Sequence, residues 1–159
     1  MITLRVDDSK VVALLGDLKA RAGNTRPVMS EIGDIVISSI EKNIEVGGRY
    51  SSPDSWKGGG RKWKGLAAAT IKQRMKKGYW PGKILQQTGS MAGSLSKKVG
   101  SNSVTIGTNK IYGAIQQFGG KAGRGHKVTI PARPWIVVQD EDLTEIGHAI
   151  TAYLMKGVK

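Results

Sequence analysis

Apolar and polar positions alternate in Ile2, Thr3, Leu4, Arg5 and Val6, the period of a strand. Asp7, Asp8 and Ser9 then offer N-cap chemistry, and Val11, Val12, Leu14, Leu15 and Leu18 recur at helical spacing. This predicts a first helix over about 8–21, stopped by Gly23 and Asn24. Pro27 suits the first turn of a second helix, and Val28, Ile32, Ile35, Val36, Ile40 and Ile44 form one stripe at spacings of three and four. That helix, reaching about residue 46, is the best-defined element in the chain, and its stripe is read as core rather than as a ligand box.

Residues 47–65 read GGRYSSPDSWKGGGRKWKG, with no apolar period to bury, which predicts a long mobile loop. An Ala-rich basic stretch over about 66–77 is a short helix ended by Gly78. Thr88 caps another short helix running to Leu95. Leu95, Lys97 and Val99, a turn at Gly100–Asn102, and Val104 and Ile106 describe a hairpin. A brief helix over about 111–118 ends at Gly119 and Gly120, and a basic loop over 121–127 leads to a strand holding Val128 and Ile130. Pro131 and Pro134 bracket an extended segment. Asp140, Glu141 and Asp142 open a last helix whose buried stripe is Leu143, Ile146, Ile150 and Leu154. The order of elements predicts one α+β domain over 1–159. A small antiparallel sheet packs against long N-terminal and C-terminal helices, and the Gly-rich basic loop 47–65 lies within it.

Charge sharpens this picture. The net charge is +13, and residues 55–139 hold sixteen basic side chains and no acidic one; every Asp and Glu lies before or after them. Such a field favours polyanions or an acidic protein face, against the plainer reading of a solvated basic surface. The chain has no cysteine, which excludes disulfides and thiolate metal sites. No apolar run reaches the length of a signal-peptide core or of the roughly 20 residues that span a bilayer. The expectation is a soluble chain with a cytosolic site of synthesis, without membrane contact.

Catalytic chemistry has little to work with. General acid–base catalysis usually needs a histidine or paired carboxylates with tuned pKa values. The two histidines, His126 and His148, have no partner motif, and without cysteine they match no metal-ligand spacing. The glycine runs 58–60 and 119–125 fit neither a P-loop nor a dinucleotide fingerprint. The expectation is no enzyme, no cofactor, no metal and no small-molecule substrate.

The strongest local signal is basic residues interleaved with aromatics: Trp56, Arg61, Lys62, Trp63 and Lys64, then Arg74, Lys76, Lys77 and Trp80. Three readings stand open: a protein interface, a lid in which Trp63 and Trp80 fold back over the domain, and a platform for single-stranded nucleic acid. With Arg124 and Arg133, the residues Arg61, Lys62, Trp63, Lys64, Arg74, Lys76, Lys77 and Trp80 are the candidate interface or DNA-lumen positions.

Four blocks carry a more specific pattern. Leu85, Thr88, Gly89 and Met91 stand in ILQQTGSMAG, Gly107 and Asn109 in IGTN, Tyr112, Ile115, Gln116, Gln117, Phe118, Gly119 and Gly120 in IYGAIQQFGG, and Pro131, Arg133 and Pro134 in IPARPW. In this order, over about half the chain, they resemble the phage virion morphogenesis family, also called tail completion proteins. The segment around Pro53, Asp54, Trp56 and Trp63 matches that family's Pro–Asp–Gly–x–x–Trp region only in part. Gly107, Gly119 and Gly120 are read as sites of tight turns or positive φ, the prolines as stiffeners, and Arg133 as a bidentate carboxylate contact or a solvated side chain.

The resemblance implies a structural neck or tail-terminus protein of a tailed phage or prophage, acting in tail completion and head–tail joining. The implied partners are further copies in a hexameric ring, the phage connector or head-closure protein, the tail, and phage DNA contacted without sequence preference in the lumen. The implied location is the head–tail junction of the virion. The resemblance leaves room for an isolated chain that is monomeric, with its loop ordering only on assembly. The alternative is a free nucleic-acid-binding module using the basic, aromatic middle.

Overall fold

The computed structural model describes residues 9–157. Five helices and two antiparallel hairpins make an α+β domain, as the periodicity predicts. The strand expected over residues 2–6 lies outside the described residues. Helices α1 (Ser9–Gly23), α2 (Arg26–Glu45), α3 (Ala68–Lys76), α4 (Gly113–Phe118) and α5 (Asp140–Met155) fall close to their expected bounds. Strand β1 (Leu95–Val99) pairs with β2 (Val104–Thr108), and β3 (Gly120–Ala122) with β4 (Val128–Ile130). The expected sheet is thus two separate two-stranded units. The basic loop predicted over 121–127 instead starts in β3 and turns through Gly123, Gly125 and His126, all at positive φ.

Helix α2 is the spine. Val28, Ile40 and Ile44 of its stripe are buried, and Val36 packs on the core that Ile40 and Ile44 form with Trp63, Met91 and Trp135. The first hairpin lies along α2 because Gly33 leaves no side chain in the way: a Cβ there would meet the Lys97 stem at 2.9 Å. Lys97 Nζ then reaches the Ser30 carbonyl at 2.9 Å and the Asp34 carboxylate.

Helix α5 packs against α2 through a face other than the one the apolar residues mark. Asp142 and Ala149 are buried and Ile146 and Leu154 are half-buried, whereas Leu143 and Ile150 are exposed. The reason is a polar clamp at the start of the helix. Asp142 Oδ2 accepts from the Gln139 N–H at 2.7 Å, capping the helix, and from Ser39 Oγ of α2 at 2.6 Å. This turns position 142 inward and carries position 143 outward. Helix α1 rests on α5 through half-buried Leu14 and Leu18 and a bond from Arg21 to the Leu154 carbonyl, leaving Val11, Val12 and Leu15 exposed.

Residues 131–136 run extended through the middle of the domain without a strand partner over most of their length. The Arg133 N–H donates to the Gln116 carbonyl at 2.7 Å, and side chains meet the polar backbone atoms of Pro134, Trp135 and Ile136. Asn43 Nδ2, on a residue with no exposed surface, donates to the Pro134 and Trp135 carbonyls at 3.2 and 2.9 Å. Trp63 Nε1 donates to the Pro134 carbonyl at 2.8 Å. Gln117 Oε1 accepts from both the Trp135 and Ile136 N–H groups at 2.9 and 3.0 Å, and its Nε2 donates to the Ile136 carbonyl at 3.2 Å. Trp135 itself is anchored by its indole N–H on the Gly113 carbonyl at 3.0 Å. Gly119 closes the approach: at φ +72° its Cβ would lie 2.7 Å from the Ala132 nitrogen.

Residues 47–65 contain no helix or extended strand, as expected for a loop, and they are tied to this same centre. The Gly58 N–H donates to Val138 and Val138 returns a bond to Trp56, at 2.7 and 2.9 Å. The Trp63 N–H donates to Gly47 at 2.9 Å, and Gln139 Nε2 donates to Arg49 at 2.7 Å.

Leaving the Trp135 and Ile136 N–H groups unpaired in a buried setting costs about 1–3 kcal/mol for each group. Gln117→Leu is therefore expected to lower unfolding stability by about 3 kcal/mol in urea titrations. At the other end of the core, Glu141 is held below the usual carboxylate range, first by Arg49 at 2.6 Å and then by Lys42 at 3.4 Å. A carboxyl depressed in the folded state adds stability above its unfolded pKa and loses it as pH falls through the folded value. Glu141→Gln should lower Tm at neutral pH, with the gap to the parent closing as melts are repeated toward about pH 2; a gap that ignores pH would exclude this pairing.

Candidate functional site

Two surface features grow out of residues 131–136. The first is a cleft of about 470 Å³ between α3, residues 84–85 and β4. The family-like positions Leu85, Pro131 and Arg133 line it, together with Lys64 and Arg74. Arg74 is turned inward from α3, 7% exposed, and donates from Nη1 to the Lys83 carbonyl at 2.9 Å, while its buried Nε has no acceptor. Arg133, 6% exposed, donates to the Lys64 and Gly65 carbonyls at 3.2 and 3.3 Å and to the Gln116 side chain at 3.4 Å. Burial first, and the charge of Arg74 second, push the Arg133 guanidinium below its ordinary value. Leu85 stands at φ +60°, a backbone region that a leucine enters only under constraint.

The second feature is an apolar groove of about 570 Å³. Its floor includes Gly113, Ala114, Trp135 and Ile136, and Asp54 and Lys110 mark its polar edge. Its walls are Trp56, 58% exposed, Ile111, 98% exposed, and Phe118, 74% exposed. Helix α4 starts close against Thr108 at the end of β2 because Gly113 leaves room; a Cβ there would lie 2.6 Å from the Thr108 methyl. A large aromatic on one wall and an almost fully exposed isoleucine on the other are unusual on a surface in water alone.

The ten candidate interface or lumen residues divide between surface and interior. Arg61, Lys62, Lys64, Lys76, Lys77, Trp80 and Arg124 are exposed. Trp63, Arg74 and Arg133 are buried rather than spread on the open surface. Trp63 takes the inward position that the lid reading allowed, because its indole N–H completes the Pro134 carbonyl; Trp80 stays at the surface. Lys64, Arg74 and Arg133 come together in the cleft, and Arg124 stands in the turn between β3 and β4.

Among the family-like positions, Gln117 and Pro134 belong to the central hydrogen-bond system and Phe118 to the groove. Gly89, Gly119 and Gly120 adopt positive φ, whereas Gly107 is an ordinary strand position opposite Ser96. Asn109 is exposed, and the exposed Tyr112 hydroxyl lies 2.9 Å from Ser90 Oγ. Thr88 does not cap a helix: its hydroxyl accepts from the Ser90 N–H at 3.4 Å, and the only helical turn nearby is the 3₁₀ segment Ala92–Ser94. Gly89 at φ +67° bends the chain where the helix would have started.

Asn43 and Ile111 were not singled out by sequence, although Asn43 interrupts the apolar face between Ile40 and Ile44 and could have been noticed as a polar group at a core position. His126 and His148 are exposed, and among the described residues no three His, Asp or Glu side chains gather as a metal site. No described helix is long and apolar enough to cross a membrane.

Comparison with known proteins agrees with the four blocks. The family model described as the phage virion morphogenesis family matches residues 6–155. The chain is 32% identical to "Mu-like prophage FluMu G protein 2" of Haemophilus influenzae over the full length of both. It is 29% identical to "Putative capsid assembly protein G" of Escherichia phage Mu, over 94% of this chain and 91% of that one. No solved structure matches. The chain belongs to the phage virion morphogenesis family, with the structural or assembly role in phage particles that this family and these relatives support.

Proposed function

We propose that this protein is a non-catalytic ring component of the phage neck, acting in tail completion and the joining of head to tail. The observation that carries this reading is the apolar groove walled by Trp56, Ile111 and Phe118. It is built by the IYGAIQQFGG block that the family resemblance rests on, and its exposed apolar walls call for a protein surface to cover them. Burying an isoleucine or phenylalanine side chain contributes about 1.5–3 kcal/mol, so these two residues alone could decide whether copies hold together. A ring needs two unlike surfaces on each copy that meet head to tail and close. The groove supplies one, and the acid-poor, basic middle of the chain supplies electrostatic direction. The name of the phage Mu relative points to particle assembly, in keeping with this role.

A second reading rests on the exposed cations Arg61, Lys62, Lys64, Lys76 and Lys77, in a stretch free of carboxylates. Such a surface would meet DNA phosphates in the lumen of the ring without reading sequence. If the chain were instead a free nucleic-acid module, purified protein would retain duplex or single-stranded DNA with a steep salt dependence.

Particles produced without the protein test the main reading by electron microscopy: separate mature heads and tails are expected, and normal joined particles would refute it. In the same system the pair Ile111→Asp and Phe118→Ser, both on exposed positions, should leave the purified chain folded while cutting the yield of joined particles at least about tenfold.

A further inference from the structure

The cleft beside α3 holds a charge problem that the chain does not solve for itself. Arg74 and Arg133 are both more than nine-tenths buried and line one cavity. Every hydrogen bond described for their side chains ends on a neutral oxygen: three backbone carbonyls and one amide. The ion pairs among the described residues include neither of them. Residues 55–139 contain no carboxylate that could be brought in from nearby in sequence. Arg74 Nε is buried without an acceptor, and Leu85 beside the pair is held at φ +60°. Two adjacent guanidinium ions without a counter-ion are unfavourable in a low-dielectric setting, and an incoming anion relieves that directly. Arginine forks match a carboxylate in two-point geometry.

We propose that Arg74 and Arg133 form a receptor for one carboxylate side chain from a second copy of this chain. The inference rests on the ring reading above and supplies one of its contacts. A carboxylate fits better than a nucleic-acid phosphate because the two guanidinium groups are buried in a cleft that they share with Leu66, Ile84, Ile130 and Pro131. An Asp or Glu is a slender stem that enters such a cleft, whereas the phosphates of a duplex sit along a broad rod. The second copy is indicated by charge complementarity. All twelve acidic residues lie in 1–54 or 140–159, outside the segment that builds the cleft. On α2 and α5, exposed Glu31, Glu41, Asp140 and Glu145 take part in none of the described ion pairs. Each copy therefore carries a buried cationic socket on one set of elements and surplus carboxylates on another, which is the arrangement a head-to-tail contact needs.

The experiment uses the full chain and succinate as the carboxylate probe, with chloride at equal ionic strength as control. Succinate should raise Tm saturably for the parent and not for Arg74→Met, which keeps the packing of the side-chain stem but removes the fork; equal melting in both salts overturns the receptor. Sedimentation equilibrium of the same samples reads the source of the carboxylate. Self-association should weaken about tenfold or more in Arg74→Met, and succinate should compete with it in the parent without any substitution. A chain that stays monomeric at every concentration, or one that associates equally well as Arg74→Met, overturns the second-copy contact. Loss of duplex DNA retention in Arg74→Met with self-association intact would assign the cleft to phosphate and overturn it likewise. The ring reading is judged separately: if Arg74→Met particles join normally while particles lacking the protein do not, the ring stands and the carboxylate socket is wrong.

Discussion

The fold depends on satisfying an extended backbone that crosses the core with little help from a sheet. A buried N–H or carbonyl without a partner is expensive, and neighbouring strands usually supply the partner. Here residues 131–136 obtain most of their partners from side chains, Asn43 on α2, Trp63 from the 47–65 loop and Gln117 on α4, while the Arg133 N–H donates to the Gln116 carbonyl. Three parts of the chain far apart in sequence are thereby fixed to one line. Pro131 and Pro134 suit this line because each lacks an N–H that would otherwise need an acceptor. The conformation that looks least regular is the one on which the helices are assembled.

The same line positions both surfaces. Pro131 and Arg133 face the basic cleft, while Trp135 and Ile136 floor the apolar groove. Gln116 and Gln117, adjacent on α4, serve the two sides in turn: one side chain accepts from Arg133, and the other holds the Trp135 and Ile136 amides. A partner seated in the groove therefore presses on the backbone that carries the cationic socket. In the proposed ring role, such coupling would keep the two surfaces in a constant relation.

Much of the architecture was legible in the chain. Helix α2 declares itself by a long stripe, α3 by an Ala-rich run ended at Gly78, and the first hairpin by alternation around residues 100–102. What misled was polar chemistry inside the core. Asp142 and Ala149, not Leu143 and Ile150, face α2 because Ser39 and the Gln139 amide both need the Asp142 carboxylate. Asn43 is buried for its amide, not for apolar character. Trp63 sits in a segment whose glycines and lysines look wholly solvated, yet its indole completes a carbonyl 71 residues away. The four family-like blocks located the site better than charge did. Charge alone placed Arg74 and Arg133 at the surface, whereas packing draws them into a cleft. Ile111, which walls the groove with Trp56 and Phe118, gave no signal, since a lone exposed apolar residue is unremarkable until a second stands across from it.

Native-state hydrogen exchange at the Trp135 and Ile136 amides tests the central claim most directly, because neither group has a strand partner and both depend on one glutamine side chain. Protection equal to that of the interior amides of α2, with exchange through global unfolding, is the result this account requires. Exchange as fast as that of the exposed 124–126 turn would show that the crossing segment is not held from within, and both surfaces would lose their common foundation.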